Sequence, residues 1–233
     1  VIALNKNYTF AYYNRGNTYF NMGDAVRAVG DYTRAIELDG ANALFFKNRA
    51  VVYNQMDRLS EAAEDLERAL ALEPDKASTH FTLGNLYYRM QDYQKAVAHY
   101  SKAQKLLPND PLIYFGRGNA YREASELETA LADFNEVIRL FPSYFDAYNN
   151  RGSVYLALGD FEAALVDFSR AIELNPEYTL AYYNRGLIYL QKGEFALAEG
   201  DFAAAIAFSP ELTAAYKQRG LSCFYQKKFD GAV

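Results

Sequence analysis

Three side chains in this sequence are of the kind that could do chemistry: His80, His99 and Cys223. An imidazole can act as a base or hold a metal near neutral pH, and a thiolate can act as a nucleophile. Their arrangement argues against both uses. His80 and His99 stand nineteen residues apart, on different helices of the pattern described below. A metal centre or catalytic pair would need further Cys, His or carboxylate partners, and none stands out. Packing and surface roles are therefore expected for both histidines. Cys223 falls where aromatic residues stand in other parts of the chain, so a buried and inert thiol is expected. The sequence holds no P-loop, dinucleotide fingerprint or nucleophile elbow. The Gly-Asp pairs at 23–24, 159–160 and 193–194 read as turns between helices, not as phosphate cradles. No catalytic residue, metal ligand or cofactor is expected, and the segment reads as a non-enzyme.

The elements that carry these residues are repeats. Asn-Arg-Gly occurs at 14–16, 150–152 and 184–186, with degenerate copies at 48–50, 116–118 and 218–220; Thr82-Leu83-Gly84 fills the remaining place. Successive copies lie 34 residues apart with no insertion or deletion. A fixed period of this length marks a stacked-repeat architecture. On this register six full units run 9–42, 43–76, 77–110, 111–144, 145–178 and 179–212. Residues 213–233 begin a seventh, truncated unit, and 1–8 read as the tail of a preceding one. With no starting Met, Val1 is expected not to be the true start, and the whole reads as one solenoid cut from a longer array.

Within the fifth unit, Tyr148, Arg151, Gly152 and Tyr155 fall on one helical face. After Gly159-Asp160 a second helix aligns Ala164, Phe168 and Ala171, and Pro176 stops it. Small residues at Gly152, Ala164 and Ala171 let two backbones approach, and the aromatics fill the space around them. One hairpin cannot bury that aromatic face alone, so neighbours must stack. These residues resemble the tetratricopeptide repeat (TPR) family, whose signature is an aromatic, Leu-Gly, Tyr, Ala, an aromatic and Pro at fixed offsets. The resemblance covers essentially the whole chain. It implies an all-α fold, a right-handed superhelical solenoid of antiparallel helix hairpins. Gly40, Ala50 and Cys223 depart from the Pro, Gly and Tyr of the signature, and Val137 replaces a small Ala, which is expected to loosen or re-angle packing. The related 35-residue RNA-reading repeats fit less well, because the period is 34 and a basic character is missing.

Where the family has Leu before the Gly, six of seven units here have Arg. Sixteen residues later stands Asp, giving the pairs Arg15/Asp31, Arg49/Asp65, Arg117/Asp133, Arg151/Asp167 and Arg185/Asp201. The third unit lacks both members together, with Leu83 and His99. A half-buried charge needs a partner, so a salt bridge between the two helices of one unit is expected. Inheritance of both residues from a duplicated ancestor accounts for the pattern equally well.

In the family the first helices line a concave groove. Here the corresponding positions are rich in Asn and aromatics: Tyr13, Asn14, Asn17, Phe20 and Asn21, then Lys47 and Asn48, Phe81 and Asn85, Phe115 and Asn119, Asn149 and Asn150, Tyr183 and Asn184. One subfamily grips chaperone C-termini with Lys and Asn in one unit, and this chain fails that test, since Lys47 is followed by Val51 and Tyr13 precedes Asn17. The Asn pattern is instead similar to the asparagine ladder of a large glycosyltransferase, which holds extended peptides. The alternative is that Asn merely caps exposed helix surface.

Composition narrows the partners. The net charge is -5 with no Lys/Arg block, so nucleic acid and anionic membranes are not expected partners. Apolar runs such as 203–208 are too short to span a bilayer, and no secretory signal is seen. A lone cysteine points to a reducing, cytoplasmic setting, with a cilium or the cytoskeleton as the alternative. The function expected is a protein-interaction scaffold binding a protein or peptide segment in the groove. The alternatives are a rigid spacer in a large multiprotein assembly and a regulatory domain of a larger enzyme.

Overall fold

The computed structural model describes residues 8–230, so the expected tail at 1–8 lies outside it except for Tyr8. Thirteen α-helices and no strand are present among the described residues. They are α1 (Thr9–Asn21), α2 (Ala25–Leu38), α3 (Ala43–Gln55), α4 (Leu59–Leu72), α5 (Ala77–Arg89), α6 (Tyr93–Leu106) and α7 (Pro111–Glu123). There follow α8 (Leu127–Leu140), α9 (Phe145–Leu158), α10 (Phe161–Leu174), α11 (Thr179–Lys192), α12 (Phe195–Phe208) and α13 (Thr213–Asp230). The chain forms two compact units, Val1–Ala120 and Tyr121–Val233, with the division inside α7. Among the described residues no helix is long and apolar enough to cross a membrane.

The turns explain why helices stop where they do. Within hairpins the chain needs one residue of positive φ after each first helix. Gly23, Gly159 and Gly193 supply it at φ 79–80°, with no Cβ to clash. Asp57, Gln91 and Ser125 adopt the same left-handed conformation at φ 59°, 61° and 62°, where an L side chain is strained. Asp24, Asp92 and Asp160 then cap the second helices, accepting from the backbone N–H three residues on. Between hairpins, Pro74, Pro108, Pro142, Pro176 and Pro210 each follow the residue that ends a second helix.

In the first unit α1 packs on α2, α3 on α4 and α5 on α6, and α2 meets α3 as α4 meets α5. The largest core there joins Ala50, Ala62, Leu66, Leu83, Tyr87, Ala96, Tyr100 and Ile113. In the second unit α9 packs on α10, α11 on α12 and α12 on α13, around Ala164, Phe168 and Ile188. Val137 is fully buried in the position that Ala holds elsewhere.

Close helix contact depends on a bare backbone at one point. A Cβ added to Gly152 would lie 2.9 Å from the Phe168 ring, and one added to Gly186 would lie 2.9 Å from Phe202. In the second repeat, Ala50 takes the place of that glycine and faces a smaller Leu66, both nearly fully buried. Tyr100 is confined twice: a Cβ on Gly84 would come within 2.6 Å of it and one on Gly116 within 2.8 Å.

Candidate functional site

The first-helix face of the first unit is built from positions spaced three and four apart on α1 and α3. Tyr13 packs against the rings of Phe45 and Tyr32, at 5.2 and 6.0 Å between centroids. Asn48 on α3 donates to the Tyr13 hydroxyl at 2.8 Å and to Asn17 Oδ1 at 3.3 Å, linking the two first helices. Asn17 Oδ1 also accepts from the Tyr32 hydroxyl at 2.6 Å, and Asn85 Oδ1 accepts from Tyr100 in the same way. Burial pushes the Tyr32 phenol up to about 12, since its ring is 1% exposed. Between α1 and α3 lies a hollow of about 290 Å³ lined by Asn17, Phe20, Asn21, Tyr32, Asn48 and Val51. Asn14 is exposed and Asn119 half-buried.

In the second unit Asn184 donates to Asn149 Oδ1 at 3.1 Å, and Asn149 donates to Asn150 Oδ1 at 3.1 Å. Asn149 itself is 4% exposed. Tyr183 leans on Phe202, 5.8 Å between centroids. The structure thus commits many of the asparagine amides to neighbouring helices and to buried tyrosines, where the sequence reading offered them whole to a ligand. A signal for this was present: Asn17 and Asn85 stand in the two repeats whose second-helix aromatic is Tyr.

Another position on this face recurs without any asparagine to mark it. Phe10, Leu44, Leu112 and Leu180 occupy one place in the 34-residue period and are 40–50% exposed. Charges on the same helices are mostly engaged by neighbours: Lys47 with Glu73 at 2.9 Å, Arg89 with Asp57 at 2.7 Å, and Asp146 with the Tyr178 hydroxyl at 2.7 Å.

The arginines before the glycines tie helices together. Arg15, Arg49, Arg151 and Arg185 each grip an Asp of the second helix with two nitrogens, at 2.6–2.8 Å, reaching Asp31, Asp65, Asp167 and Asp201. The four carboxylates are 2–7% exposed. A third nitrogen extends to the preceding second helix: Arg49 to Thr33, Arg151 to Asn135 and Arg185 to Ser169, at 2.6–3.0 Å. Arg117 makes the same reach to Ser101 at 3.2 Å. Its expected partner Asp133, 4% exposed, belongs to the other unit. Tyrosine rings flank the guanidinium, as Tyr148 and Tyr155 do Arg151 at 5.7 and 5.9 Å. Hydrogen bonding to the carboxylate raises the pKa of Arg49, Arg151 and Arg185 against the opposing effect of burial.

The third repeat solves the same problem differently. Leu83 is fully buried, and His99 turns its ring from α6 into the place beside Tyr87, stacked at 5.5 Å and 20°. His99 Nδ1 lies 3.1 Å from His80 Nδ1 on α5. Desolvation first, then His80 and Lys102, lower the His99 pKa to about 4; His80 is lowered chiefly by desolvation. The Tyr87 hydroxyl donates to the Glu67 carboxylate. A depression of about 640 Å³ opens beside the pair, among Glu67, Leu70, Pro74, Asp75, Lys102 and Leu106. Sequence spacing placed the two histidines on different helices but did not show that the helices bring them into contact. Cys223, expected to be buried, is half-buried; burial and the neighbouring Glu199 raise its thiol pKa.

Paired helices and periodic glycine–aromatic contacts define a helical-repeat protein. The TPR repeat pattern matches residues 52–91, 84–123, 118–159 and 152–193, and tetratricopeptide repeat patterns match 9–42 and 180–212. The chain belongs to the tetratricopeptide repeat family. No curated protein matches it. Among solved structures, the C-terminal part of a TPR repeat-containing protein from Cytophaga hutchinsonii is similar, with a TM-score of 0.77 at 17% identity over 93% of this chain and 89% of that one. YrrB, described as a TPR protein with an unusual peptide-binding site, is similar with a TM-score of 0.65 at 23% identity, over 81% of this chain and 97% of that one. The Cut9–Hcn1 hetero-tetramer of the APC/C gives 0.66 at 17%, over 95% of this chain and 44% of that one. At these identities the likeness is one of fold.

Proposed function

We propose that this chain is a protein-interaction scaffold that takes a partner segment in extended form along the exposed face of its first helices, and that it performs no reaction of its own. The hollow between α1 and α3 carries the reading. Val51 and Phe20 offer apolar surface to a partner side chain, while the exposed Asn21 offers its amide beside it. An amide has an acceptor and two donors, and so can meet both the N–H and the C=O of a peptide. Within the first unit the exposed Phe10, Leu44 and Leu112 extend the apolar surface along α1, α3 and α7. The peptide-binding site in the description of YrrB supports the same reading. On this reading the working units are the 34-residue steps from 9–42 to 179–212.

The test uses peptides selected from a random library on the 233-residue chain. Val51 is half-exposed, so Val51→Glu leaves the fold intact while placing a charge in the hollow. Its peptide affinity should fall at least tenfold, roughly 1.4 kcal/mol or more, with an unchanged melting temperature. Val26→Glu, on an exposed part of α2, should leave affinity unchanged. The opposite outcome would mean that partners dock on the second helices, as in a spacer embedded in an assembly.

A further inference from the structure

The third repeat departs from the others at the one place where they are most alike. Where Arg15, Arg151 and Arg185 each put a guanidinium between two rings, it puts the His99 imidazole, and the ring facing it is His80. At the place of His80 the later repeats have tyrosine. Tyr114, Tyr148 and Tyr182 donate to the carbonyls of Pro108, Pro142 and Pro176. The pair meets through Nδ1 of each ring, so one of the two carries the shared proton and the other a lone pair.

We propose that His80 and His99 form a two-nitrogen chelate for a borderline divalent transition-metal ion, held between α5 and α6 and open to the depression beside them. The spacing suits such an ion once the two rings turn from facing each other toward it. Two nitrogens 3.1 Å apart, each about 2.0–2.1 Å from a metal, subtend roughly 100° at it, between the square-planar and tetrahedral angles. Before the ion enters, one Nδ1 donates its proton to the other. On binding, that proton moves through solvent to Nε2 of the ring that held it, and both Nδ1 lone pairs turn to the ion. Among the described residues no third His, Cys, Asp or Glu completes the set, so water or a partner's side chain fills the remaining positions. Glu67 and Asp75 on the wall favour a cation there; Lys102 and Lys105 oppose it. Imidazole donors without thiolate select Zn²⁺, Ni²⁺ or Cu²⁺ over Mg²⁺ or Ca²⁺.

The experiment titrates ZnCl₂ and NiCl₂ into chelator-treated chain by calorimetry, with MgCl₂ as the control. One ion per chain is expected for zinc and nickel and none for magnesium. Leu83→Arg with His99→Asp gives the third repeat the bridge of its neighbours, and should bind at least tenfold more weakly while retaining the helical circular dichroism of the parent. His99→Gln is the second variant, should that double change fail to fold. With Cu²⁺, electron paramagnetic resonance of the parent should show two nitrogen ligands, and that of the variants should not. Undiminished binding in both variants, or no binding by the parent, overturns the proposal.

Discussion

Arg151 is one residue serving three helices: it grips Asp167 with two nitrogens, reaches Asn135 with a third, and lies between Tyr148 and Tyr155. Because Asp167 is 3% exposed in its side chain, the pair is poorly screened by water, and losing one partner leaves a buried charge. A double-mutant cycle with alanine at both positions, read by urea unfolding, should give a coupling of about 1.5–3 kcal/mol. The solvent-exposed pair Arg170–Glu173 is the control, and should couple by about 0–1 kcal/mol. Additive losses at Arg151 and Asp167 would show that the contact contributes nothing beyond its parts. The sequence disclosed the recurring Arg and Asp because the third repeat lacks both. It did not disclose the reach to Thr33, Asn135 and Ser169, since three different residue types perform that acceptor role. Nor did it disclose the tie between Asn17 and Tyr32, where a ring on one helix needs an oxygen from another.

Helices and turns were more legible, because period and punctuation speak for whole segments. Glycine at 23, 159 and 193 and proline after the second helices mark the ends in the sequence itself. What a lone sequence conceals is that Asp57, Gln91 and Ser125 must copy the glycine conformation. These three sites carry local strain. Gln91 is exposed, so its side chain contributes little to packing. Gln91→Gly should therefore stabilise the chain by about 0.5–1 kcal/mol, the relief of left-handed strain exceeding the entropy of the added glycine. Denaturant midpoints of the two proteins provide the measurement. A lower midpoint for the variant would show that Gln91 makes contacts worth more than its strain.

Over the whole chain, opposite charges are interspersed and many are paired locally, as Lys47 is with Glu73 and Arg89 with Asp57. Recognition on the first-helix face should then depend weakly on ionic strength. Affinity for a selected peptide should change less than about threefold between 50 and 500 mM salt, because few free charges remain for ions to screen. A tenfold loss on adding salt would point to charge steering by another surface.

Tyr100 bears on how freely such repeats can be shuffled. Its ring occupies the room left by Gly84 in its own repeat and by Gly116 in the next. The third repeat itself has Thr82 at the place of Gly116. An array made by copying the third repeat end to end would therefore set a threonine side chain where Tyr100 now meets bare backbone. The building blocks share a period and a fold, yet they are not interchangeable: each carries on its trailing helix a shape that its successor must answer, so the order of repeats is itself part of the design.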